Sequence, residues 1–502
     1  MRSKDGQAQL TKMSKFYITT TLPYVNAEPH VGTALEFIQA DVIARYHRLL
    51  GEEVVFNTGT DEHGLKIYRK AVEEGREPKE YVDEYAARFK KVLKALNISF
   101  TNFIRTTDEE HQAAAQEFWN RCLQAGDIYK AKYKIKYCVG CELEKTDSEL
   151  KDDKCPIHPN LKIEEIEEEN YFFKFSKFRK SLLEMYKNNP EFVLPDFRFN
   201  EIKRFVEGGL KDFSVSRLKS KMPWGVDVPG DPDQVMFVWF DALVNYISTL
   251  GWPKDEAKFK EYWPGTQIAG KDNLRQQSAI WQAMLLSAGL PTSKQVLIHG
   301  FVTVDGEKIS KSLGNTIDPL IAIEKYGVEP LRYYLLREIP SGDDGDFSYK
   351  KLEERYNGDL ANGLGNLVQR VATLIDTKMD GEISFTADMV STEMKDLIYK
   401  INEKVEMSIY NFKLHEGLGA IWDLIKHANV YFNDHKPWET VKTNPEHFNS
   451  TLINMVFLLH HIAGMLSPFM PETASKMPHL EILGDSHKLL LKKGQPLFPR
   501  LK

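Results

Sequence analysis

Two short stretches far apart in the chain hold residues suited to gripping a polyphosphate. In the first, Tyr24-Val-Asn-Ala-Glu-Pro-His30-Val-Gly32-Thr33, a histidine, a glycine and a hydroxyl stand where a strand gives way to a helix. Unpaired amides and the helix dipole favour an anion at such a joint, and Gly32 lets it come close to the backbone. The second, Val304-Asp-Gly-Glu-Lys308-Ile-Ser310-Lys311-Ser312, offers two cations and two hydroxyls just after a glycine turn. Taken singly, each has an ordinary counterpart: a loop-to-helix turn with a solvated His30, and a solvated basic loop.

A third constellation is Cys138-x2-Cys141, thirteen residues, then Cys155-x2-His158. Two chelating turns of this spacing make a closed tetrahedral site of three sulfurs and one nitrogen, the donor set of structural Zn2+. Four protein ligands leave no open position for chemistry, so the site is expected to be a strut. Cys122 lies outside the set and is expected to be a buried thiol.

Holding these groups requires a parallel sheet. The chain from Phe16 to Leu22 reads as a buried strand, and from Glu53 to Thr58 as another. Between them, Ala34 to Leu50 predicts a helix with Leu35, Ile38, Val42, Tyr46 and Leu49 on one face, closed by Gly51. Such a strand-helix-strand unit puts the His30 turn and the segment from Thr58 to Gly64 at the carboxyl edge of the sheet, where ligands bind. From Tyr129 to Trp224 the pattern changes to short strands, the cysteine set and an acidic run, IEEIEEEN, which marks an insertion. Alternation of helix and strand resumes at Val235, with a strand from Val296 to Val304 running into the Asp305-Gly306 turn. Beyond Leu352, amphipathic patterns from Leu360 to Ile375, Met394 to Phe412 and Leu452 to Met465 predict a helical bundle.

Composition narrows the function classes. The 502 residues are too many for one core. No apolar run reaches the eighteen or so residues of a membrane span, and no signal peptide is evident, so a cytoplasmic protein is expected. With 66 basic and 72 acidic residues the net charge is −6, which confines any nucleic-acid surface to a local patch.

Read together, His30-Val-Gly-Thr33 and Lys308-Ile-Ser-Lys-Ser312 resemble the paired HIGH and KMSKS signatures of class I aminoacyl-tRNA synthetases, in an order that fits a split sheet. Thr21-Leu-Pro-Tyr-Val-Asn26, Gly59-Thr-Asp-Glu-His-Gly64, Val238-Trp-Phe-Asp-Ala-Leu-Val-Asn-Tyr246 and Gly270-Lys-Asp272 narrow the resemblance to methionyl-tRNA synthetases. It runs from about Lys15 into the helical region. The resemblance implies an α/β fold: a parallel Rossmann-type sheet split by a zinc-containing insertion, followed by an all-α anticodon-binding bundle. The corresponding divisions are a flexible extension (1–13), the two halves of the catalytic domain (14–128 and 235–300), the connective insertion (129–234), a KISKS loop and stem-contact region (301–351) and the bundle (352–502).

The resemblance further implies methionine–tRNA ligase activity, with L-methionine, ATP with Mg2+, one structural Zn2+, and initiator and elongator tRNA(Met) as partners. ATP would meet His30, Gly32, Thr33, Gly270, Asp272, Lys308, Ser310, Lys311 and Ser312. Methionine would meet Leu22, Tyr24, Asp61, Trp239, Ala242, Leu243, Tyr246, Gln277 and Trp281, and the anticodon Asn366, Arg370 and Trp438. An aromatic pocket suits a polarizable thioether, and splayed bases suit an aromatic with hydrogen-bonding neighbours. On spacing alone, the Trp239 to Tyr246 set is core packing, Asp61 is a turn residue, and the anticodon trio is a helix cap and a wedged tryptophan. A monomer is expected, since no added nucleic-acid-binding barrel follows the bundle.

Two positions depart from the family. Thr33 replaces the second histidine of the HIGH signature, and a hydroxyl cannot carry imidazolium charge. Gln277 stands for a pocket histidine, where its amide is able to bond a tyrosine hydroxyl. Two other readings stay open at this level: another class I synthetase, such as the cysteinyl or leucyl enzyme, and an RNA-binding protein without activity. The KISKS lysines and Asp61 speak against the second. An insertion of about a hundred residues, too small for the editing domain of the isoleucyl, leucyl and valyl enzymes, favours the methionyl reading.

Overall fold

The structure, a computed structural model, describes residues 14–141, 143–145, 149–309, 315–483 and 486–501. At its centre are six parallel strands: β1 (Lys15–Thr20), β2 (Glu53–Thr60), β3 (Asn102–Arg105), β4 (Val193–Leu194), β5 (Thr266–Gly270) and β6 (Gln295–His299). Their order is β3-β2-β1-β5-β6-β4, all neighbours parallel. Both faces are covered, as parallel sheets require. Phe16 and Ile18 pack into a core that includes helix α1 (Val31–Leu49), and Tyr17 points into a second core with Trp119, Trp263 and Trp281. Chain order reverses between β1 and β5, so the connections leave in opposite directions and open a crevice at the carboxyl ends.

β1 stops at Thr20, two residues before the expected end. Thr21 N–H makes the last bond across to Ile268 O (3.2 Å) and another to Glu36 Oε1 (2.7 Å), which turns Thr21 and Leu22 out of the ladder toward the crevice. The single strand expected from Val296 to Val304 is broken at Gly300, where a Cβ would lie 2.1 Å from the Asp343 carbonyl carbon. Beyond the break, Val302–Val304 and Glu307–Lys308 form a hairpin about Asp305 and Gly306, both at positive φ.

The insertion is an antiparallel sheet ordered Leu143–Lys145, Ile128–Cys138, Glu164–Phe173, Phe213–Ser214. The acidic run is therefore a strand, in register with a lysine-rich one: Lys132 stands opposite Glu169 and Lys136 opposite Glu165, a favourable cross-strand arrangement. The C-terminal region is helical as expected, with helices Asn366–Lys378, Thr392–Tyr410, Leu414–His435 and Pro445–Leu466. It is not all-α, because Glu382–Thr386, Ser486–Leu490 and Glu481–Leu483 form a small antiparallel sheet. Ile383 and Phe385 are buried between exposed neighbours, a two-residue period too short to stand out beside the long helical patterns.

The helical region is tied to the central sheet through Asp41 on α1, which is wholly buried. Its carboxylate accepts from Arg45 Nε (2.7 Å), Arg332 Nη2 (2.8 Å), Ser99 N–H (2.7 Å) and Ser99 Oγ (2.6 Å). Burial would push its carboxyl up, but the two guanidiniums outweigh that and hold it below the usual range. Arg332, from helix Val328–Glu338, also donates to the carbonyls of Phe469 (3.1 Å) and Leu96 (3.1 Å). Removing one partner of such a pair leaves a buried charge, so Arg332→Met should cost about 3 to 5 kcal/mol of stability. Scanning calorimetry should show a Tm lower by roughly 5 °C or more; an unchanged Tm would mean that the pair does not secure the two parts.

Candidate active site

His30 is the N-cap of α1, with extended backbone (φ −136°, ψ 172°). Its Nδ1 accepts from the amides of Gly32 (3.1 Å) and Thr33 (3.4 Å). Two of the helix-end donors expected to be open to an anion are thus engaged by the histidine itself. Because Nδ1 accepts, the ring proton sits on Nε2. A Cβ on Gly32 would lie 3.0 Å from that ring, which is why glycine suits the position.

Asp61 follows β2 and is fixed by its backbone: its N–H donates to Pro23 O (2.9 Å) and its carbonyl accepts from Val25 (3.2 Å). Opposite it, helix Val238–Ala242 and the turn after it bring Trp239, Ala242, Leu243 and Tyr246 to the same place. These residues, with Thr21, Leu22, Asn245, Asn273 and Gln277, line a void of about 30 Å³. That is room for no more than a few waters, so a longer guest enters only as the wall gives. The buried indole N–H of Trp239 has no hydrogen-bond partner among the described residues. Gln277 donates to Tyr246 Oη (2.6 Å) and accepts from Gln267 (3.0 Å), so the amide does bond the tyrosine hydroxyl as expected. Trp281 stands behind Tyr246, edge to face at 5.9 Å, and is not among the lining residues.

The void opens beside a cleft of about 580 Å³ lined by Tyr24, His30, Gly32, Thr33, Gly270 and Asp272, and sharing Leu22, Asp61 and Trp239 with it. Ser310, Lys311 and Ser312, and the side chain of Lys308, lie outside the described residues. The residues flanking them converge on His30: Ile309 lines the cleft, and Val31 N–H donates to Ile317 O (3.1 Å).

Sequence reasoning missed Glu36, His299 and Gln276, which also line the cleft. His299 Nδ1–H donates to Gly300 O (2.7 Å), its Nε2 lies 2.8 Å from Glu36 Oε2, and Glu36 Oε1 accepts from Thr21 Oγ1 (2.6 Å). Burial lowers the affinity of His299 for a proton, but Glu36 outweighs it and raises the pKa above the ordinary histidine value. An acid inside the apolar stretch Ala34-Leu-Glu-Phe37, and a histidine ending a buried strand, were the available signals.

The cysteine set comes together. The Sγ atoms of Cys138, Cys141 and Cys155 and a ring nitrogen of His158 lie within 4.8 Å of one another. Separations of 3.2 Å (Cys141 to His158), 3.4 Å (Cys141 to Cys155) and 3.9 Å (Cys138 to His158) suit a tetrahedron with metal–ligand bonds of about 2.0 to 2.3 Å. This cluster could bind zinc. It is more than a strut, because Gly140, Cys141, Ile157 and His158 form one wall of the cleft. Cys122 is fully buried, as expected.

In the helical region Arg370 and Asn366 sit four apart on one helix, and the Arg370 guanidinium lies 5.1 Å from the Trp438 ring centroid. Arg370 also donates to Asn433 Oδ1 (2.9 Å). Lys436, in the left-handed conformation, and Pro437 at the first helical turn set Trp438 outward, 42% exposed. The structure thus sets an aromatic face beside the Arg370 cation and the Asn433 amide, an arrangement that spacing alone does not give.

Comparison with known proteins agrees with the geometry. A family model described as "tRNA synthetases class I (M)" matches residues 16–165 and 140–372, and one described as "Anticodon binding domain of methionyl tRNA ligase" matches residues 380–488. A methionine–tRNA ligase of Thermotoga maritima is 44% identical over 470 residues, spanning 92% of this chain and 74% of that protein. One from Brucella suis is 41% identical over 510 residues, spanning 97% and 98%. Among solved structures, Mycobacterium tuberculosis methionyl-tRNA synthetase in complex with methionyl-adenylate superposes with a TM-score of 0.92 at 38% identity, over 97% of this chain and 100% of that one.

Emission spectroscopy of the purified protein should find one zinc per chain, held by the four-residue cluster. Gly140→Ala would set a methyl 2.5 Å from His158 Cγ and should lower that occupancy. A metal-free parent protein would refute the cluster's role, and full occupancy in the variant would refute the tight packing of His158.

Proposed function

The chain belongs to the methionyl family of class I tRNA synthetases, the methionine–tRNA ligases, and we propose that the crevice between β1 and β5 is where its own residues carry out both steps of that reaction. The enzyme activates L-methionine with ATP, giving methionyl adenylate and pyrophosphate, and then transfers methionine to tRNA. The observation that carries the assignment of residues is that one wall, Thr21, Leu22, Asp61 and Trp239, is common to the small void and the large cleft. One molecule with an apolar side chain and a phosphate-bearing end fits across that wall.

On this reading the Asp61 carboxylate holds the methionine ammonium. Leu22, Tyr24, Trp239, Ala242, Leu243, Tyr246 and Gln277 enclose the side chain, with Trp281 as support. An aromatic lining recognises a polarizable sulfur as well as its area. The methionine carboxylate attacks the α-phosphorus of ATP in line, a reaction governed by positioning and neutralisation of charge. His30, with its proton on Nε2, donates to the α-phosphate, and Thr33 adds a hydroxyl. Gly270 and Asp272 meet the nucleoside. Lys308, Ser310, Lys311 and Ser312 receive the departing pyrophosphate, whose charge Mg2+ bound with ATP would help to neutralise. The terminal ribose hydroxyl of tRNA(Met), initiator or elongator, then attacks the adenylate carbonyl, with no covalent enzyme intermediate. Asn366, Arg370 and Trp438 read the anticodon.

The cluster of Cys138, Cys141, Cys155 and His158 holds Zn2+ as a closed site that stiffens the cleft wall. The divisions 14–128 with 235–300, 129–234, 301–351 and 352–502 follow these tasks as catalytic halves, insertion, KISKS region and anticodon bundle, except that Val193–Leu194, within 129–234, returns to the central sheet as β4, so the catalytic half draws one strand from that span. We place the enzyme in the cytoplasm, as a monomer, where charged tRNA is consumed. A pocket that excludes by size gains only about 1 to 3 kcal/mol per methylene, so homocysteine is activated at some rate.

Two substitutions separate the steps. Lys311→Ala should slow methionine-dependent ATP–pyrophosphate exchange by roughly 10²-fold or more, and an unchanged rate would remove that lysine from the mechanism. Trp438→Ala should reduce tRNA charging while leaving exchange nearly intact, because stacking on an exposed tryptophan is worth about 1 to 3 kcal/mol per base. Equal losses in both assays would show that Trp438 serves the fold instead.

A further inference from the structure

Asp61 and Trp239 both line the small void, yet they belong to different parts of the chain, the end of β2 and helix Val238–Ala242. Two residues beyond each, the chain supplies a group that closes the gap. His63 Nδ1 lies 2.6 Å from Asp241 Oδ2. The other carboxylate oxygen, Oδ1, is 2.8 Å from Nε2 of His111, on helix Glu109–Gln124. His111 Nδ1 in turn lies 3.0 Å from Ser248 Oγ. Asp241 is 0%, His111 1% and His63 4% exposed. None of the three lines the void or the cleft.

An ionised carboxylate only accepts hydrogen bonds, so the geometry fixes both tautomers: His63 carries a proton on Nδ1 and His111 carries one on Nε2. Burial would push the Asp241 carboxyl up, but the two imidazoles outweigh it and hold it down at about 2. A buried carboxylate with two donors at hydrogen-bond length cannot shift without leaving one of them unpaired. The His63 ring is itself wedged edge-on against Trp224 at 5.6 Å, whose indole N–H donates to Glu62 O (2.6 Å). Asp61 is the neighbour of Glu62, so the same wedge reaches the residue that faces the void.

We propose that Asp241, clamped between His63 and His111, is a positioning residue that sets the distance between Asp61 and the Trp239 wall, and so the fit of the amino-acid substrate. It touches no reacting atom. Its effect falls on methionine rather than on ATP, because the ATP-facing groups His30, Glu36 and His299 are held by other bonds. This rests on the reading of the void as the methionine site.

The two histidines use different ring nitrogens, which makes the test specific. The amide nitrogen of asparagine falls near the place of Nδ1, and that of glutamine near Nε2. His63→Ala should raise KM for methionine in ATP–pyrophosphate exchange by roughly tenfold or more, with KM for ATP moving less than about twofold. His63→Asn should recover most of that loss and His63→Gln little of it, whereas at position 111 the order should reverse, with His111→Gln the better of the pair. Should an alanine variant fail to fold, the asparagine and glutamine variants carry the comparison by themselves. Equal behaviour of His63→Asn and His63→Gln, or a parallel rise in KM for ATP, would overturn the clamp. Trp239→Ala distinguishes the two levels. If it raises KM for methionine while His63→Ala does not, the clamp alone fails; if it leaves KM for methionine unchanged, the pocket assignment fails with it.

Discussion

A carboxylate sealed from water must be met by charge and hydrogen bonds inside the protein, and Asp41 is met from three places at once. Arg45 reaches it along α1, Ser99 from the segment before β3, and Arg332 from helix Val328–Glu338. Arg332 also donates to the Phe469 and Leu96 carbonyls. Every group in this knot loses a partner if any element moves, and an unpaired charge in the interior is far more costly than the pair is stabilising. The helix that begins with His30 is thereby held in one orientation relative to the helical region that carries Trp438.

The active crevice shows the same logic on a smaller scale. No single stretch of chain builds it. β1 delivers Thr21 and Leu22, β2 delivers Asp61, α1 delivers His30 and Glu36, and the second half of the sheet returns Trp239, Gln277 and His299. The zinc-type cluster adds a wall from the insertion. Parallel strands force this arrangement, because each strand must leave the sheet through a loop at the same edge, and the reversal of order between β1 and β5 leaves room there for a ligand. Polar groups near the void are bonded to one another, as in the run from Tyr246 through Gln277 to Gln267. Such a network fixes the shape of the pocket where dispersion forces alone would tolerate alternatives.

Much of this was legible in the residues. The β1–α1–β2 unit follows from periodicity, the cysteine set from its spacing, and the role of Gln277 toward Tyr246 from hydrogen-bonding capacity. What local patterns do not carry is partnership between distant segments. The acidic run marks an insertion, but its partner is known only from its register with the lysine-rich strand. The capping of α1 by His30 depends on a side-chain torsion rather than a residue type, so the amides expected to be open are occupied. The small sheet in the helical region involves strands separated by about a hundred residues, Glu382–Thr386 and Ser486–Leu490, and its two-residue period is brief. His63, Asp241 and His111 lie in three segments with nothing in their spacing to join them.

On the proposed assignment, a crevice built from both halves of the sheet selects methionine by shape and polarizability and activates it with ATP. ATP–pyrophosphate exchange, run separately with each of the twenty amino acids, tests that most directly. Strong exchange is expected with methionine and weak exchange with all others, since Trp239 and Tyr246 line the void and an aromatic wall that yields to an unbranched thioether favours it over branched or shorter side chains. Robust exchange with leucine or cysteine, and none with methionine, would contradict it.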